Sequence, residues 1–309
     1  EVVRTNVLKR GINGLDTWDV DCLNSVRRKG EEMMEAVKGC VHLVGAGPGD
    51  TGLLTVRGLD YLMKAEVVVY DYLSNKALKE MAQSKAKWIY VGKKAGDHTM
   101  PQEAINQLLI DEARKGYEVV RLKGGDPYVF GRGSEEGASL KAAGISYDVV
   151  PGVTSAIGGL SYAGIPITSR GVAQGFYVMT GHLSVSGAHP DYQAIAQVPG
   201  TLVILMGIGQ RHELFRQLIA HGKAKDTPAA AVFQATTPMQ ETIVGTLQTL
   251  PDLIAVDEDR PGLLVVGEVV KLREPLAWFE QQPLFGQQFA VILPESGKTS
   301  SERYQFLQS

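Results

Sequence analysis

The stretch Lys123-Gly-Gly-Asp-Pro-Tyr-Val-Phe-Gly-Arg-Gly-Ser-Glu-Glu136 decides how the chain folds. It follows a strand, Glu118–Leu122, and leads into a helical pattern from Ser134. Strand, glycine loop and helix in that order make an α/β unit, and the loop lies where parallel sheets bind ligands, at a strand's carboxyl end. Four glycines in one loop cost conformational entropy, which is tolerable where backbone shape matters. Gly124 and Gly125 would let main chain meet a ligand directly. Arg132 and Glu135, three residues apart across the helix start, place a cation and a carboxylate on one side of the cleft, a spacing equally suited to an exposed ion pair.

Working outward, the same grammar repeats. Val41–Val44 ends in Gly45-Ala-Gly-Pro-Gly-Asp50, and Leu53, Leu54, Val56, Leu59 and Leu62 then follow helical spacing. Glu66–Tyr70 is an apolar run suited to a strand buried on both faces of a parallel sheet. Trp88–Val91 and Tyr147–Val150 are further strands. Thr99 and Gln102 are spaced as a capping box for a helix closed by Gly116. Beyond Pro151-Gly152 come a small-residue helix over 155–162, strands at Phe176–Thr180, Thr201–Met206, Ala229–Phe233 and Leu263–Val269, and a hairpin-like segment over 236–249. These predict a second α/β unit with a mixed sheet. The domain reading is an extension over 1–39, units over 40–151 and 152–279, and a tail over 284–309.

Composition limits the function. The 309 residues, 44% of them hydrophobic, suffice for two domains, and a net charge of -3 argues against a general nucleic-acid binder. Two cysteines, Cys22 and Cys40, without an apolar run of membrane length or a signal peptide, predict a cytoplasmic protein with no membrane partner. Glu1 in place of an initiator methionine predicts a piece of a longer polypeptide.

Other motifs carry less. The loop Gly45–Asp50 nearly fits the dinucleotide fingerprint, with Asp71 placed like a ribose-binding acid, but Asp50 stands where the third glycine belongs. A dinucleotide-binding oxidoreductase is therefore an alternative. Ser296-Gly-Lys-Thr299 is no phosphate loop, because Ile292 occupies the earlier glycine position. His42, His98, His182, His189, His212 and His221 lack metal-ligand spacing, so no metal is expected.

From Val41 to about Trp278 the chain resembles the uroporphyrinogen-III C-methyltransferases, members of the tetrapyrrole methylase family. The ordered blocks VGAGPGD, VVVYD, VGKKAG, HTMPQEAIN, VRLKGGDPYVFGRG, VVPGVTSAIG, AGIPITSRG, TGH, LVILMG, ATTPMQ and VVGEVV carry the likeness. It implies two α/β domains of the tetrapyrrole methylase type with the active cleft between them, working as a homodimer. It implies S-adenosylmethionine as methyl donor, S-adenosylhomocysteine as product, and C-methylation of uroporphyrinogen III at C2 and C7 to precorrin-2, on the way to sirohaem or cobalamin. Carried over by position, the cofactor lies against Pro48, Gly124, Gly125, Asp126, Val129, Thr154, Ser155, Met206 and Ala235. Arg132, Arg170 and Met206 bind substrate, and Asp71, Lys93, Arg132 and Glu135 are the catalytic candidates. Three positions depart from the family: Ala235 for Gly, Tyr72 for Arg and Ser169 for His. Another corrin-pathway methyltransferase and a non-catalytic scaffold are the remaining alternatives. The tail from Leu284 more weakly resembles the opening of uroporphyrinogen-III synthase.

Overall fold

The computed structural model describes residues 39–71, 76–92, 100–182, 190–255, 258 and 260–287. Its first half is built on five strands, β1 (Cys40–Gly45), β2 (Val67–Tyr70), β3 (Lys87–Tyr90), β4 (Glu118–Lys123) and β5 (Ser146–Val150), all parallel and ordered β3-β2-β4-β1-β5. Helices α1 (Val56–Lys64), α2 (Gln102–Arg114) and α3 (Gly133–Ala142) make crossovers. As the apolar runs predict, the sheet is covered on both faces. Val67 and Val69 pack with Leu109 and Leu140, while Val68 packs on the other side with Leu62 and Leu78.

That arrangement creates a crevice. The chain leaves β1 for α1 on one face, marked by Leu62, and leaves β4 for α3 on the opposite face, marked by Leu140. Neighbouring strands whose connections part in this way open a gap at their carboxyl ends. Both glycine loops empty into it.

The second half has strands β6 (Phe176–Thr180), β7 (Thr201–Leu205), β8 (Pro228–Phe233), β9 (Glu241–Thr246) and β10 (Gly262–Val266), ordered β6-β7-β10-β8-β9. Only β6 and β7 run parallel, and the other pairings are antiparallel, so the expected mixed sheet is present, while the hairpin is made by β8 and β9 and the segment 236–249 holds only its second strand. Helix α4 (Ser155–Tyr162) covers one face through Ala156 and Leu160. Helix α6 (Arg211–Ala220) covers the other through Leu214, Phe215 and Leu218. Short helices α5 (Tyr192–Gln197), α7 (Leu250–Leu253) and α8 (Arg273–Leu276) complete the unit. Val129, from the glycine loop of the first half, packs against this second core.

Several local expectations are corrected. Val56 is 87% exposed and not on the buried face of α1, because the helix begins only at that residue, after a 3-10 turn at Thr51–Leu53. The N-cap of α2 is Pro101, with no side-chain cap, so Gln102 is the first helical residue and cannot close a capping box; Thr99 lies outside the described residues. Strand β10 ends at Val266 because the chain turns at Gly267 into a 3-10 segment, Glu268–Leu272. Among the described residues no helix is long and apolar enough to cross a membrane.

Candidate active site

Three glycines form the floor of the crevice. A Cβ on Gly45 would lie 2.5 Å from the Gly152 Cα and 2.6 Å from the Gly125 carbonyl oxygen; one on Gly152 would lie 2.1 Å from that oxygen. Backbone takes the place of side chains at the ends of β1, β4 and β5. Asp126 fixes the arrangement, its carboxylate accepting from the Tyr128 amide at 2.8 Å and the Gly152 amide at 2.9 Å.

The loop after β1 is not arranged for a pyrophosphate. Its Ala46 amide donates to Lys123 O at 2.7 Å, and Gly47 and Gly125 exchange amide bonds of 3.2 and 2.8 Å. The Asp50 amide donates to Thr236 Oγ1 at 2.9 Å. Amides engaged in this way cannot cradle phosphate oxygens as helix-terminal amides do, and α1 starts only at Val56. Asp71, the expected ribose acid, instead pairs with Arg121, Oδ2 to Nη2 at 3.3 Å. The dinucleotide alternative loses its support.

Asp50 has a different task, one that sequence reasoning took for a missing glycine. Its carboxylate accepts from Gly52 N at 2.7 Å and from the Tyr162 hydroxyl, at the end of α4, also at 2.7 Å. Burial first, and then that bond, push the Tyr162 hydroxyl up to about 12. Together with Thr236, Asp50 fastens the first glycine loop to the second half.

Several expected cofactor residues converge here. The position a Cβ would take on Gly158 is 3.0 Å from Pro48, and that on Gly159 is 3.0 Å from the Ala235 Cβ. Thr154 caps α4, accepting from Ala156 N at 3.4 Å, and its Cα faces Gly125. Ser155 opens that helix. Met206 follows β7, half-exposed, at φ +55°. Gln234 and Thr236, flanking Ala235, are likewise left-handed at +44° and +67°, as are Phe130 and Arg132 at +52° and +57° in the loop after β4. Such strain in non-glycine residues gathers where function demands a particular backbone path.

The catalytic candidates divide. Arg132 clasps Glu135 with bonds of 2.8 and 2.7 Å, and both side chains are about half-exposed. The hydrogen bonds from Arg132 hold the Glu135 carboxyl below its usual range, which makes it a poorer base. Arg170 is exposed on a turn closed between Ser169 and Ala173, and no hydrogen bond joins it to the glycine cluster. Lys93 and Tyr72 lie outside the described residues.

Sequence reasoning missed a buried set of charges. Arg121 and Lys123, both on β4, donate to the same oxygen of Glu136 at 3.0 and 2.9 Å, and Arg121 continues to Asp71. Burial, then the neighbouring Arg121 charge, push the Lys123 ammonium below its ordinary range. A signal was present: Arg121 interrupts an apolar strand, and Gly133, Glu136, Gly137 and Leu140 form the buried stripe of α3. Among the described residues no group of three or more His, Cys, Asp or Glu could hold a metal ion.

A family described as Tetrapyrrole (Corrin/Porphyrin) Methylases matches residues 40–251. A siroheme synthase of Klebsiella pneumoniae is 50% identical over 246 residues, covering 80% of this chain and 52% of the relative. One from Tolumonas auensis is 47% identical over 278 residues, 90% of this chain and 58% of the relative. The chain thus spans about half the length of the curated relatives it matches. The crystal structure of a uroporphyrin-III C-methyl transferase from Thermus thermophilus, complexed with S-adenyl homocysteine, is 41% identical with a TM-score of 0.66, covering 76% of this chain and 100% of that one.

Proposed function

The chain belongs to the tetrapyrrole methylase family, and from that premise we propose that it methylates uroporphyrinogen III at C2 and C7, giving precorrin-2 for sirohaem. The observation that carries the proposal is the glycine-floored crevice with its amides already engaged, suited to a cofactor without a pyrophosphate. The likeness to the Thermus enzyme, complexed with S-adenyl homocysteine over its full length, supports the same cofactor. The siroheme synthases among the relatives support the destination.

S-adenosylmethionine supplies an electrophilic methyl group on a sulfonium, whose departure as a thioether needs no acid. The chain then has three tasks. Pro48, Gly124, Gly125, Asp126, Val129, Thr154, Ser155, Met206 and Ala235 form the cofactor wall, where fixed backbone aligns the reacting atoms; alignment lowers a barrier by several kcal/mol. Arg132 and Arg170 bind substrate carboxylates, which a guanidinium clamps with paired hydrogen bonds. As the methyl–carbon bond forms and the sulfur–carbon bond breaks, the pyrrole gains the positive charge that sulfur loses. It returns to neutrality by giving up one proton. Asp71 is the acceptor in this reading, with Lys93 the second residue to which the family pattern points; the Asp71 bond to Arg121, at 3.3 Å, is longer than the two by which Arg132 weakens Glu135 as a base. The units over 40–151 and 152–279, assembled as a cytoplasmic homodimer, make up the working enzyme.

The test is anaerobic incubation with uroporphyrinogen III and methyl-labelled S-adenosylmethionine, followed by mass spectrometry. A gain of two methyl groups is expected, with KM for the tetrapyrrole raised about 10- to 100-fold in Arg132→Ala. Bound cofactor without transfer would reassign the acceptor to another tetrapyrrole. Failure to bind S-adenosylhomocysteine would overturn the proposal.

A further inference from the structure

Four charges meet under the carboxyl edge of the first sheet. Glu136 has no exposed surface, and one of its oxygens, Oε1, accepts from Arg121 Nε and Lys123 Nζ. Its other oxygen, Oε2, is buried without a hydrogen-bond partner. Arg121, itself buried, turns the opposite end of its guanidinium to Asp71. Between the two carboxylates its Nη1 donates to Leu122 O at 3.1 Å and to Val69 O at 3.4 Å, which fixes the plane of the fork.

Stability alone does not account for this set. Taking several charges out of water is costly, and apolar side chains of similar volume commonly stabilise a fold as well or better. Glu136 lies on the stripe of α3 that carries Leu140, so an apolar residue would suit the local pattern. What the carboxylate supplies is orientation. The bond from Arg121 Nε to Glu136 holds one edge of the guanidinium while Nη2 meets Asp71.

We propose that Glu136 is a positioning residue for methyl transfer, holding the Arg121 guanidinium so that it presents the Asp71 carboxylate to the crevice. The role rests on Asp71 being the proton acceptor. Lys123 Nζ at 2.9 Å and Gln102 Nε2 at 3.4 Å are the other donors to Glu136 Oε1. Arg132 at the start of α3 interacts electrostatically with Glu136 and with Glu103 on α2, and Glu135 does so with Lys123. With the Glu136 charge removed, the guanidinium of Arg121 keeps Asp71 as its carboxylate partner but loses the carboxylate that fixes its Nε edge. Asp71 then becomes a weaker and less well-aimed base.

The experiment compares Glu136→Gln, Glu136→Asp and Asp71→Asn with the unaltered chain, measuring thermal unfolding, S-adenosylhomocysteine binding and the pH profile of kcat/KM for uroporphyrinogen III. Glu136→Gln keeps an acceptor oxygen for both cations. It is expected to bind the cofactor within about threefold of the parent while kcat falls about 10-fold or more. The acid limb should move down by about one pH unit. A lowered unfolding temperature with an unmoved acid limb would reduce Glu136 to a structural residue and overturn the proposal. Should Glu136→Gln not fold, Glu136→Asp decides, since it keeps the charge but withdraws it by one methylene. An acid limb at the parental pH with lowered kcat supports positioning, and parental kcat overturns it. An inactive Asp71→Asn beside an unshifted Glu136→Gln defeats this proposal alone. Full activity in Asp71→Asn defeats the proton-acceptor assignment and this role with it.

Discussion

The two sheets meet the same crevice by different means. The first brings charged side chains to it, with Asp71, Arg121, Lys123 and Glu136 linked beneath a floor of glycine. The second brings backbone, in the turn of left-handed residues Gln234 and Thr236 that meets Asp50. Strand direction explains the contrast. In a parallel sheet every strand ends on one edge, so neighbouring strands deliver side chains and loops to one place. In the mixed sheet β10 begins where β7 and β8 end, and that edge is closed by turns whose shape is set residue by residue. One half supplies electrostatics and the other supplies form.

The sharpest way to break this division is Gly152→Ala. The new Cβ meets main chain at 2.1 Å and cannot be relieved by a side-chain rotation. A loss of about 3 kcal/mol is expected, read by denaturant unfolding, with S-adenosylhomocysteine affinity falling in parallel. Gly175→Ala, a site with open space around it, should leave both unchanged. On the second sheet, Thr236→Val removes the acceptor of the Asp50 amide. It should cost about 1–2 kcal/mol, and amide exchange at Asp50 should quicken before global unfolding. The smallest effect is expected for Gln234→Gly. Relief of about 1 kcal/mol from the left-handed backbone is nearly offset by glycine's added freedom in the unfolded chain. Stability should stay within about 0.5 kcal/mol while kcat falls, because a looser turn aligns the cofactor less well. A fall in stability without loss of rate would show that shape on this edge serves the fold alone.

How much of this could be read beforehand depended on distance along the chain. The alternation of Val67, Val68 and Val69 between two cores was legible because burial on both faces leaves an uninterrupted β-branched run. The glycine loops were legible because a strand followed by glycines has few other uses. Glu135 was chosen over Glu136 because spacing to Arg132 is visible locally, whereas the partners of Glu136 sit on another element, 13 and 15 residues away. Asp50 was misread for the same reason, since its amide finds Thr236 at a separation of 186 residues. The expected cofactor positions came from family resemblance. That Pro48, Thr154 and Ala235 lie close to one another follows from α4 and the turn after β8 packing on the first glycine loop, which no local pattern displays.

The engaged amides of the first glycine loop bear on any attempt to redesign the protein. Replacing Asp50 with glycine would complete a dinucleotide fingerprint on paper. In the folded chain, Ala46, Gly47 and Gly125 would still direct their amide hydrogens at neighbouring carbonyls, leaving none of them for a visiting diphosphate. The substitution would instead remove the acceptor of the Tyr162 hydroxyl, one of the ties between the two halves of the molecule. The fingerprint would be restored in spelling, and part of the grip between the halves lost in substance.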